Sequence, residues 1–182
     1  VVFERNRAVF GGGIYNGSNS YLAAQSVGSA APAFYRNKAN VAGGALFAFG
    51  MDSSVNFEGV RVGAVGAGNV SGDSPFNGFG GGIFSWNGAS VRAIDCAIEG
   101  NISSNQGGGL SAFSFGAIEL DSRTPAPGVI PGSRVVGNYT AGFGGGVAGY
   151  GGSLTIRSSF IVSNVAEAGG GVMSFASSGA VV

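Results

Sequence analysis

Apolar residues along this chain come in short runs that alternate with polar or small ones. Ser153-Leu154-Thr155-Ile156 and Ser90-Val91-Arg92-Ala93 repeat with a period of two, the pattern of a strand with one buried face. The stretch 144–172 states the unit most fully. It has a glycine turn, a short apolar strand from Val147, a second glycine turn at Gly151-Gly152, a longer alternating strand, Asn164, and then a new glycine triplet at 169–171. Helices are excluded by the glycine, which costs roughly 1 kcal/mol per residue against alanine in a helix interior. Strands joined by tight corners remain, with glycine supplying the positive φ that such corners need.

The unit recurs. Gly-Gly followed by a small and then an aliphatic residue occurs six times, with the aliphatic residues at Ile14, Leu46, Ile83, Leu110, Val147 and Val172, spaced by 32, 37, 27, 37 and 25 residues. Upstream of five of them stands a large apolar residue with Asn three places later: Phe3/Asn6, Phe34/Asn37, Ile98/Asn101, Val135/Asn138 and Ile161/Asn164. The third unit has no such pair. A period of this length, holding two or three short strands per unit, predicts a solenoid in which every unit is one coil. Asn tolerates the left-handed region, so Asn6, Asn37, Asn101, Asn138 and Asn164 at one corner of successive coils predict a stacked amide ladder.

These residues resemble the polymorphic outer-membrane-protein repeat, whose marks are the paired tetrapeptides GGA[ILV] and FxxN. The chain carries GGGI, GGAL, GGGI, GGGL, GGGV and GGGV, with FERN and FYRN intact and IEGN, VVGN and IVSN as variants. The resemblance spans essentially the whole chain. It implies an all-β, right-handed parallel β-helix of about six coils and a surface or secreted role, extracellular or at the cell surface, as in adhesins and autotransported proteins. Fold alone assigns no function.

A single solenoid over 1–182 is therefore expected, about 29 Å long at roughly 4.8 Å per coil. Insertions map to surface loops, here near 64–78 and 121–133, with a smaller one around Gln25 to Pro32. The ends match in phase. Residues 179–182 fall where 153–156 fall, and Phe3 to Asn6 where Ile161 to Asn164 fall, so the joined ends would make one further coil. No capping element is visible at either end, and open strand edges recruit other chains. Head-to-tail self-association into a filament or long surface fibre is the leading functional expectation. An adhesin-like module that binds glycans or a host surface is the alternative.

Composition narrows the rest. The chain has 37 Gly, 14 Phe, one Cys, no His and no net charge, with 10% charged residues and 45% hydrophobic ones. This is a glycine-rich repeat protein that should pack, being too apolar for disorder. Its neutral balance argues against nucleic-acid binding, and no apolar run is long enough for a membrane-spanning helix.

Three residues after the anchors stand Phe49, Trp86, Phe113, Tyr150 and Phe175, an aromatic ladder that faces outward if the strand is straight and inward if its small residues bend it. Sequons at Asn16, Asn69, Asn101 and Asn138 mark candidate glycosylation sites, with Asn69 and Asn16 the better acceptors. The acidic residues are scattered. Glu119 and Asp121 form the sole i, i+2 pair, with Arg123 beyond, which is a surface cluster more readily than the paired carboxylates of a glycosidase. No catalytic residue, metal site or cofactor is expected, and Cys96 reads as a buried thiol.

Overall fold

The computed structural model describes residues 1–27, 30–74, 77–123, 132–176 and 180–181. Every regular element among them is a strand. The strands assemble into four sheets, called A to D in the order the chain visits them, with all strands parallel; three sheets have six strands and sheet B has five. Each turn of the chain adds one strand to each sheet, except that among the described residues the sixth adds only a single bridge, Val165 to Tyr139, beside sheet B. The fold is a four-sided parallel β-solenoid of six coils.

The fourth coil shows why the sequence winds this way. Ala97–Glu99 lies in sheet A, Ile102–Ser103 in B, Leu110–Phe113 in C and Ala117–Asp121 in D. The A-to-B corner is made by the residue before the Asn, which takes a left-handed φ: Gly100 (63°) and Gly137 (62°), but also Arg5, Arg36 and Ser163. Four strands per coil is more than the two or three expected. The additional side is sheet B, whose strands in the third to fifth coils are two residues long, too short for periodicity to register.

Inside, like stacks on like. Phe34, Val62, Ile98 and Val135 form a fully buried column from sheet A, and Leu46, Ile83, Leu110 and Val147 form one from sheet C. Sheet D contributes Val55, Val91, Ile118 and Leu154. Sheet B contributes small side chains, Ala39, Ser71, Ser103 and Thr140. The columns of sheets A, C and D make one continuous hydrophobic core. Burying a Val, Leu, Ile or Phe side chain stabilises by about 1.5–3 kcal/mol, so each interior coil is held chiefly by its contacts with the coils above and below.

The stretch 64–78 is not one loop. A regular rung of sheet B, Val70–Ser71, paired on both sides, follows the chain excursion at 63–68, and residues 75–76 beyond it lie outside the described residues. Of the expected loop near 121–133, residues 124–131 lie outside the described residues. Its ends are fixed: Asp121 closes a sheet D strand, and Ser133 is buried with its hydroxyl donating to the Ala93 and Asp121 carbonyls.

Candidate functional site

The corner asparagines form a column of six, one more than the sequence pattern shows. Asn69 fills the third coil. There, Val62 takes the place of the large apolar residue, and the six-residue excursion 63–68 separates it from its Asn. At each step the backbone N–H and the Nδ2 amide of one Asn both donate to Oδ1 of the Asn one coil later. For Asn37 to Asn69 these bonds are 3.0 and 2.9 Å, and for Asn101 to Asn138 2.9 and 3.0 Å. The second Nδ2 hydrogen reaches back one coil to the carbonyl of the sheet A column, as in Asn69 to Phe34 and Asn138 to Ile98, both 2.9 Å. Asn37, Asn69, Asn101 and Asn138 are fully buried. Their polar groups are satisfied within the column, which is what a buried amide requires.

Three sequon asparagines, Asn69, Asn101 and Asn138, are therefore interior, and the Nδ2 that would carry a sugar is a donor in the column. Asn16 is also buried, its Nδ2 donating to the Ser53 hydroxyl at 2.9 Å. The folded coil presents none of the four to solvent. The expectation that Asn69 lies in an open loop is corrected by this position.

The aromatic ladder stands on the outer side of sheet C. Leu46 and Ala48 point into the core, while Phe47 and Phe49 point away and join a second, external cluster with Phe84, Trp86, Phe79 and Phe113. Phe49 lies 5.3 Å from Trp86, Phe113 5.2 Å from Tyr150, and Tyr150 5.1 Å from Phe175, the last two pairs stacked. Phe10, the last residue of a sheet B strand, and Phe79, which bridges to Ala42 between sheets B and C, stack on Phe47 and Phe84 at 5.1 and 5.5 Å. Phe47 and Phe84 are thereby buried although they face outward. A shallow apolar groove of 180 Å³ runs among Phe10, Val41, Phe79, Phe84, Trp86 and Phe113. Rings stacked on one another along the axis show mainly their edges to solvent, which makes them poor platforms for a sugar ring.

At the corner between sheets C and D, Phe115 is 81% exposed and holds a φ of 67°, an outlying conformation for a bulky residue. It borders a hollow of 510 Å³ with Phe113, Tyr150 and Ala176.

The remaining candidates carry ordinary structural roles. Glu119 sits between two guanidinium groups of neighbouring coils, 3.2 Å from Arg92 and 3.4 Å from Arg157. Asp121 accepts from the Ser122 N–H at 2.7 Å, and Arg123 reaches Glu58 at 2.7 Å. Among the described residues, no group of three His, Cys, Asp or Glu side chains is placed to hold a metal ion. Cys96 is buried, and desolvation pushes its thiol from the ordinary 9.0 up to about 12.

The end rungs differ from all others. In the first coil Phe3, Ile14 and Leu22, and in the last Ile161 and Val172, pack against the core on one side and are only partly buried. The last described strand, Ala180–Val181, pairs with Leu154 and Thr155 in sheet D. The next side in the cycle is sheet A, where Val2–Glu4 lies.

No protein-family model, curated protein or solved structure matches this chain.

Proposed function

We propose that this chain is a structural module of an extracellular or cell-surface fibre, in which coils of the same kind continue the solenoid to make a long filament. The repeat would then be of the GGA[ILV]/FxxN type. The observation that carries this reading is the parallel register that sheets A, C and D keep through six successive rungs, with each core column stacked from coil to coil. An edge strand offers unpaired N–H and C=O groups as a template for another strand, so a regular rung of this kind is one on which a further coil can stack. A rod suits such a molecule, because stacked columns and the asparagine ladder resist bending and shear along the axis. The role needs no catalysis, cofactor, nucleic acid or membrane insertion, and no glycan on the buried asparagines.

A second reading, an adhesin-like binding module, draws on the apolar groove beside Trp86. The two differ in what they expect of the native protein. Electron microscopy with an antibody raised against the 182-residue chain should label rods of constant width repeatedly along their length. Labelled single particles, with loss of surface attachment on Trp86→Ala, would support the binding module and remove the fibre.

A further inference from the structure

We infer that the side of the rod formed by sheet C is a pairing face, and that its partner is a second copy of this chain, the two rods lying side by side with sheet C against sheet C. Such pairing uses the flank of the rod and is independent of whether further coils are added along its axis.

This side differs in composition from the other three. No strand of sheet C holds a charged residue, whereas sheet A carries Glu4 and Arg61, sheet B Arg7 and Lys38, and sheet D Arg92 and Glu119. The outward positions of sheet C carry rings instead. Tyr15, Tyr150 and Phe175 are exposed, Trp86 and Phe113 are partly buried, and Phe10 and Phe143 stand exposed along the edge toward sheet B. Depletion of charge with enrichment in aromatic residues is the mark of an interface core, and contiguous apolar patches beyond a few hundred Å² mark interaction sites.

Three properties of the face select a second copy as its cover. The first is charge. Two copies of a charged face would set like charges against one another, which interfaces avoid; two copies of sheet C meet without that penalty. The second is area. Six rungs at about 4.8 Å make the face about 29 Å long, and its short strands with the flanking rings make it about 20 Å wide. Pairing would then cover roughly 600 Å² on each copy, or about 1,200 Å² in all, which reaches the lower end of what a specific protein–protein interface buries. The third is repeat. Rings in contact along the ladder stand 5.3, 5.2 and 5.1 Å apart, so the face is a ridged surface of ring edges with the period of the coil. A cover must share that period to stay in step over six rungs, and sheet C of another copy shares it by construction. The apolar groove of 180 Å³ among Phe84, Trp86 and Phe113 supplies a hole for a ring of the partner. Each face is used once, so the pair closes as a two-fold dimer.

Trp86 is the single tryptophan of the chain, so shielding of it reports on this face. The test follows acrylamide quenching of its fluorescence, together with sedimentation, across a concentration series of the 182-residue chain. Wild type is compared with Tyr150→Asp, Tyr15→Asp and Tyr139→Asp, and melting curves at dilution show which variants fold. Wild type should form dimers as concentration rises, and quenching should fall in step. A carboxylate at position 150 would face apolar surface on the partner, so Tyr150→Asp should weaken pairing by about tenfold or more. Tyr15→Asp reads the same face should Tyr150→Asp fail to fold. Tyr139 is comparably exposed but belongs to sheet B, and Tyr139→Asp should pair as wild type does. Three results would each overturn pairing through sheet C: a wild type that stays monomeric up to about 1 mM, association that leaves Trp86 as quenchable as before, or a loss with Tyr139→Asp equal to that with Tyr150→Asp. A monomer whose Trp86 is shielded at every concentration would show that the chain covers its own face, and would overturn it too. The fibre reading is judged separately, by whether native rods are labelled.

Discussion

Asn69 is the rung that the sequence pattern omits, which makes it the sharpest place to perturb the column. Asn69→Ala removes four side-chain hydrogen bonds: two donated by Nδ2, to the Phe34 carbonyl and to Asn101 Oδ1, and two accepted by Oδ1, from the Asn37 N–H and Nδ2. The partners do not suffer equally. The Phe34 carbonyl keeps the Gly63 N–H at 2.7 Å, and Asn101 Oδ1 keeps the Asn69 backbone N–H at 3.0 Å. The Asn37 backbone N–H and one of its amide hydrogens are left with nothing, on a fully buried residue. An orphaned buried donor costs about 1–3 kcal/mol, so the loss should be roughly 2–5 kcal/mol. Asn6→Ala is the control. Asn6 is exposed, and Asn37 Oδ1 retains the Asn6 backbone N–H, so the dilute monomer should lose less than about 1 kcal/mol. Guanidinium unfolding followed by far-UV circular dichroism and Trp86 fluorescence reads both. Equal losses for the two variants, or a loss below about 1 kcal/mol for Asn69→Ala, would refute the claim that the column carries stability through its buried donors.

The outer cluster makes a similar distinction between ring and ring. Phe84→Ala should cost about 3–5 kcal/mol, as for a core phenylalanine, because Phe47, Phe79, Trp86 and Phe113 surround it; thermal melts check this, and a loss under about 1 kcal/mol would show the outer cluster to be decoration. Phe115→Gly should raise stability by up to about 1 kcal/mol, since it relieves a left-handed φ at an exposed position; a lower melting temperature would contradict that. Gly109→Ala should destabilise the monomer by about 1–3 kcal/mol through overpacking on the Gly146 carbonyl and Val135, and a melting temperature equal to wild type would contradict that. The Cys96 thiol, pushed up to about 12 by burial, should resist a thiol reagent until denaturant is added. Below about pH 9 the thiol is protonated in both states. Above it the unfolded chain ionises first, so stability falls by up to about 1.4 kcal/mol per pH unit until the folded thiol also titrates. Cys96→Ala should remove that part of the alkaline slope, and an unchanged slope would sink the assignment.

The architecture was legible because its signals repeat. The six aliphatic anchors fall in one column of sheet C, and Ala180–Val181 pairs with Leu154 and Thr155 in the register that their spacing predicts. Signals that do not repeat at fixed spacing were lost. Asn69 carries no fixed-spacing signal because the excursion 63–68 breaks its distance from Val62, and without that signal nothing in the sequence shows its sequon to be buried in the column. Sheet B was missed because Ile102–Ser103 or Tyr139–Thr140 is too short to alternate. The direction of the aromatic ladder was undecidable from spacing. It is settled by Phe10 and Phe79, which cross from another side of the coil to cover Phe47 and Phe84, a contact that has no periodic trace. The polarity of the asparagine column is a matter of hydrogen-bond direction, which a sequence does not carry.

The proposal that further coils stack on these rungs along the axis is tested most directly by amide hydrogen exchange, measured on the 182-residue chain when dilute and again when concentrated. In the dilute chain the Asn164 N–H and the strands Phe160–Val162 and Val2–Glu4 should exchange fast, while the interior rungs are protected. In the assembled chain those same end amides should slow, with the Asn164 N–H among the most changed. Assembly that leaves the end rungs exchanging as fast as before would contradict axial stacking and place the contact on a side of the rod.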